Sequence, residues 1–154
     1  MTYKTILTVL RNEAEARRLL AESIDQFRDV GDTWFLSRTL TLAGYLALAV
    51  GEADQAYDLF RQAGQVAVAT QAPPNILAAL AGLAEWSARG GQPERALEIV
   101  LHILRHPAGT QDVKDRADTL RTELEEQLTP QQVAAVQDRV QAGDFEAMRQ
   151  DVLG

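Results

Sequence analysis

The chain has no cysteine, and its only lysines are Lys4 and Lys114 among 154 residues. Without thiols there is no disulfide frame, no thiolate metal ligand and no cysteine nucleophile, a usage that suits the cytoplasm. Neither lysine closes a G-x-x-x-x-G-K-S/T loop, so the sequence lacks the phosphate cradle of nucleotide hydrolases. The serines, Ser23, Ser37 and Ser87, stand inside helical patterns, and no G-x-S-x-G elbow occurs. Basic residues are in deficit: 15 Lys and Arg against 22 Asp and Glu give a net charge of −7, which disfavours duplex nucleic acid as a partner. Apolar runs fall short of the roughly 18 residues a membrane span needs. The best stretch, Leu40–Val50, is broken by Thr41 and stopped by Gly51. The opening Met-Thr-Tyr-Lys-Thr-Ile-Leu is too polar to read as a secretory signal.

What is present is an ordinary globular balance, 24 % charged and 46 % hydrophobic, at a length that fits one domain. Within it lies a repeat. Ala16, Ala56 and Ala96 are spaced by 40 residues, and each is followed four positions later by a larger apolar residue: Leu20, Phe60 and Val100. Gly51 and Gly91 precede the second and third copies by the same interval, and Leu40, Ala43, Gly44 and Ala47 answer to Leu80, Leu83, Ala84 and Ser87. A small residue and a large one at i and i+4 share a helix face, the small one admitting a neighbouring helix closely. Each unit therefore reads as helix, glycine turn, helix.

The periodicity predicts helices at 3–10, 13–30, 33–50, 53–70, 74–89, 93–105, 111–128, 130–142 and 145–152, with no strand. Gly31, Gly51, Gly90-Gly91, Gly109 and Gly143 supply left-handed helix ends. Pro74, Pro93 and Pro130 suit first helical turns, and Thr129 with Gln132 makes a capping box. The short connections make consecutive helices antiparallel neighbours, so the expected class is all-α.

Gly51, Ala56, Phe60 and Ala63, with Leu40, Ala43 and Gly44 ahead of them, resemble the tetratricopeptide-repeat signature, and Gly91, Ala96, Val100, Leu80, Leu83 and Ala84 repeat it. The unit of 40 residues exceeds the usual 34. This longer form is similar to the C-terminal region of bacterial STAND-class and LuxR-type signal-transduction regulators. The resemblance implies a right-handed superhelix of antiparallel helix pairs. It divides the single domain 1–154 into a truncated first unit (1–32), a second (33–72), a third (73–110) and a degenerate helical cap (111–154). It also implies that Met1 cuts into the first unit, and that Gly82 stands where a bulkier residue is usual.

In such a superhelix the first helix of each unit lines the concave side. Transferred onto this chain, the resemblance implies a groove of Arg38, Thr41, Leu42, Tyr45 and Leu48, facing Ala78, Ala81, Gly82, Glu85 and Arg89. The small residues either leave room for an inserted ligand or merely let helices approach. A protein, peptide or small effector is the implied partner, without cofactor or metal. The expected role is non-catalytic sensing or interaction in a cytoplasmic regulator, with a structural or oligomerising segment as the alternative. Leu19, Leu20 and Phe27 on the truncated unit suggest a homodimer.

Other constellations are weaker. Glu98, His102 and His106 follow at i, i+4 and i+8, a face that could grip zinc for a metal-dependent enzyme, but there is no H-E-x-x-H. The acidic stretch from Asp112 to Glu126 interleaves Lys114, Arg116 and Arg121 and reads as a solvated face. Trp34, Phe35 and Trp86 read as packing anchors before ligand-stacking residues.

Overall fold

The computed structural model describes the backbone of residues 3–154 and the side chains of residues 4 and 11–154. The expected cut at Met1 lies outside the described residues. Among those residues the chain is all-helical: α1 Tyr3–Val30, α2 Thr33–Ala49, α3 Ala53–Ala69, α4 Pro73–Arg89, α5 Pro93–Arg105, α6 Gln111–Gln127, α7 Pro130–Ala142 and α8 Phe145–Leu153.

The connections between the first five helices are copies of one turn. Left-handed backbone occurs at Gly31, Gly51, Gln71 and Gly91, with φ of 75°, 85°, 53° and 79°, at a constant spacing in the chain. After each, an amide returns to a carbonyl five residues back: Asp32 to Phe27, Glu52 to Ala47, Ala72 to Ala67 and Gln92 to Ser87, all at 2.9 Å. This is the Schellman closure, which satisfies the last carbonyls of one helix while the next begins. Pro107, just past His106, ends the series: α5 stops after 13 residues and the later helices follow other turns. The capping box at Thr129 is formed in both directions.

Gln71 stands where its counterparts are glycine. Its Cβ must tolerate the left-handed region, a strain of about 1–2 kcal/mol for an L-residue. Gln71→Gly is therefore expected to raise stability by about 1 kcal/mol. Chemical unfolding checks this; an unchanged midpoint would mean that the turn is not strained.

Two predicted helices, 3–10 and 13–30, are one. The next position in the glycine series would be Arg11, which has no left-handed preference, and α1 runs through it for 28 residues. The side chains of residues 5–10 lie outside those described.

Packing follows the chain: α1 on α2, α2 on α3, and so on to α6. Alternate helices also touch, α2 with α4 and α4 with α6, while α7 packs on α5 and α8 reaches α3. The centre is Phe60 of α3, fully buried. Its ring lies against the backbone of Gly44 on α2 and Gly82 on α4, where a Cβ would collide with it. The close-packing reading of the small residues holds at this position: the space at Gly82 is filled by the chain's own Phe60. Farther along α3, Leu153 fills the space over Gly64, and its carbonyl accepts hydrogen bonds from Arg61 and Gln65 at 3.4 and 3.3 Å.

Candidate binding groove

The edge-to-edge contact of α2, α4 and α6 leaves two adjoining cavities. The smaller, about 130 Å³, is lined by Arg38, Thr41, Leu42, Tyr45 and Ala78 with Asp112, Val113 and Arg116 of α6. The larger, about 660 Å³, runs between α4 and α6 past Glu85, Arg89, Asp115, Arg116, Glu123 and Leu124. Arg116 belongs to both.

Tyr45 is the pivot. Its ring meets Phe60 edge-on at 5.0 Å, which anchors it to the core, while the Arg116 guanidinium sits 3.9 Å over its centroid. Burial pushes the Tyr45 hydroxyl up to about 12, Glu85 adding to the shift and Arg116 opposing it. The phenol is thus a permanent donor at physiological pH. Glu85 pairs with Arg116 at 3.7 Å, so phenol, guanidinium and carboxylate form one connected group between α2, α4 and α6.

Of the ten residues named for the groove, Arg38, Thr41, Leu42, Tyr45 and Ala78 border the small cavity, and Glu85 and Arg89 the large one. Leu48, Ala81 and Gly82 do not. Leu48 and Ala81 lie in the main core, and Gly82 is covered by Phe60. The physical reason is that α2 and α4 are packed on several sides, which narrows their outward faces. Thr41 is buried and donates to the Ser37 carbonyl at 3.1 Å. Arg89 donates to the Leu48 carbonyl at 3.3 Å and so caps the end of α2, a neighbour's helix and not its own.

The sequence reading missed α6 as a wall. Val113, Ala117, Leu120 and Leu124 are its buried stripe at helical spacing, which turns Asp115, Arg116 and Glu123 toward the groove. That stripe was visible beneath the acidic residues. Trp86 is an anchor: its indole donates to the Ala53 carbonyl at 3.0 Å and its ring lies 4.6 Å from Tyr57. Trp34 and Phe35 are exposed.

Glu98, His102 and His106 are engaged separately. Glu98 pairs with Arg95 at 3.3 Å, His106 accepts the Ala108 amide at 3.1 Å, and both imidazoles face Phe145. Among the described residues no group of three His, Asp or Glu is placed to hold a metal ion. Burial lowers the His102 value below 6.5, with Arg105 acting the same way and Glu98 and Asp144 opposing. The unfolded chain therefore takes up this proton at higher pH than the folded one. Stability is expected to be full above about pH 6.5 and to fall as pH drops toward the lowered folded value. His102→Gln should flatten that slope in thermal melts between about pH 5 and 7; an unaltered slope would place the proton uptake elsewhere.

No described helix is long and apolar enough to cross a membrane. Comparison of the chain with protein-family models, curated proteins and solved structures gave no match.

Proposed function

We propose that this chain is a non-catalytic binding domain, a tetratricopeptide-like right-handed superhelix that takes a peptide, a protein segment or a small effector along α2, α4 and α6. Support for the superhelix comes from the repeated Schellman turns and from the contacts of each first helix with the next. The observation that carries the functional reading is the pair of cavities joined at Arg116. They combine apolar lining with a partly buried phenol, a stacked guanidinium and carboxylates. Arginine and tyrosine are the residue types that dominate binding energies at interfaces, and a small set of polar groups over an apolar floor is how pockets orient a ligand. The motif resemblance extends this to the sensor region of a cytoplasmic bacterial regulator, where ligand occupancy would be relayed to a switch domain in the same protein.

Selection of peptides from a random display library against the folded chain tests the reading. Selected peptides are expected to lose tenfold or more in affinity on Arg116→Ala, about 1.4 kcal/mol, with helicity retained. Arg116 is exposed and packs no core, so its loss should spare the fold. Peptides whose affinity ignores both Arg116→Ala and Glu85→Ala would place the site on another face.

A further inference from the structure

We propose that α8 is a strap across α5 and α3, let go when the His102 imidazole beneath it takes up a proton. α8 runs beside α5 in the opposite sense. Phe145 at its start meets His102 and His106, and Asp151 near its end pairs with Arg95. Leu153 then reaches across to α3 and fills the space over Gly64.

The strap is lightly fastened. A helix of 9 residues does not persist alone in water, so α8 depends on what it touches. Of its side chains only Met148 and Leu153 are buried. Docking also leaves a polar group unmet: the Arg61 Nε is buried without a partner, while another nitrogen of the same guanidinium donates to the Leu153 carbonyl. Lifting Leu153 away lets water in beside that group, which offsets part of the cost of undocking. The other helices packed on α5 are α4, α6 and α7, each longer than α8. The segment most easily moved from His102 is therefore α8.

His102 cannot hold a charge where it lies. It is buried, and its ring stands 6.5 Å from Phe145, outside the about 6 Å reach of a cation–π contact. The charged groups acting on it are Glu98 and Arg105 of α5 and Asp144 ahead of α8; among the described residues α4, α6 and α7 add none. Glu98 is engaged by Arg95 at 3.3 Å, and Asp144 caps α8 by accepting the Ala147 amide at 2.8 Å. Arg105 and the positive end of the α8 dipole both oppose an imidazolium. Burial is the largest influence and lowers the docked value below 6.5, whereas a hydrated His102 titrates near 6.5. α8 is thus fully held above about pH 6.5 and let go as pH falls toward the lowered value. His106 differs. It is half-buried, and at 4.6 Å from Phe145 its imidazolium would be attracted by the ring, so its charge does not drive α8 away.

Met1 and Met148 are the only methionines, so methyl-labelled methionine gives two nuclear magnetic resonance signals, assigned with Met148→Leu. Met148 reports on α8, and the Trp86 indole, bonded to the Ala53 carbonyl, reports on α3 and α4. Between about pH 7.5 and pH 5 the Met148 signal should move toward the position of an exposed methionine, the released fraction rising several-fold, while Trp86 stays put. His102→Gln should abolish the movement and His106→Gln should leave it. Asp144→Asn keeps a capping side chain but removes a charge that favours the imidazolium, so it should enlarge the release at pH 5; this variant decides the matter even where His102→Gln does not fold. Met148 staying buried at pH 5, moving equally in His102→Gln, or moving together with Trp86 would each overturn the proposal, as would Asp144→Asn behaving like the parent or His106→Gln abolishing the movement.

Discussion

Phe60→Ala is expected to cost about 3–5 kcal/mol, the range for emptying a closed aromatic site. The ring is fully buried and touches three helices: its own α3, α2 at Gly44 and Tyr45, and α4 at Gly82. Collapse cannot refill that volume, because both opposing residues are glycines with no side chain to extend. Urea unfolding followed by helicity should therefore show a large fall in midpoint. A cost below about 1 kcal/mol would mean that the ring does not hold α2 and α4 together.

The reverse change, adding atoms opposite the same ring, should also destabilise. Helix propensity alone favours replacing a glycine in the middle of α4, by several tenths of a kcal/mol for valine. Against this, even the first carbon of a side chain at Gly82 would overlap Phe60, whose ring is held by Tyr45 and Gly44 and has nowhere to turn. Overpacking should dominate, so Gly82→Val is expected to lose about 2–3 kcal/mol. Shortening the opposing ring should recover part of that loss: Gly82→Val/Phe60→Leu is expected to be more stable than the sum of the single changes. Additive losses would show that the two residues do not meet.

These two positions also show what was legible in the sequence. The repeat of Ala56 and Ala96, with Phe60 and Val100 four residues on, marked the faces on which helices pack, and Gly31, Gly51 and Gly91 marked three of the four turns. The turn at Gln71 carried no such mark, since its left-handed conformation is imposed by the helices on either side. The periodicity places a break between residues 10 and 13. Without glycine or proline there, nothing stops the helix, and α1 continues.

For the groove, periodicity placed residues on a helix but not how much of that helix remains uncovered. Tyr45, Glu85 and Arg89 reach the channel, while Leu48 and Ala81 were taken into the core because α2 and α4 each have helices on more than one side. Gly82 was ambiguous in isolation: a missing side chain signals either an open pocket or a close neighbour, and only the position of Phe60 decides. In α6 the charged residues drew attention away from Val113, Ala117, Leu120 and Leu124, whose spacing alone marks a packed helix and therefore a wall.

The most direct test of the stacking is a nuclear Overhauser spectrum of the folded chain, read at the aromatic protons of Phe60. With Phe60 of α3 wedged between α2 and α4, those protons should give strong cross-peaks to the Hα pairs of both Gly44 and Gly82, shifted by the ring current. Cross-peaks to only one glycine, or to neither, would contradict the arrangement of α2, α3 and α4 from which the groove is built.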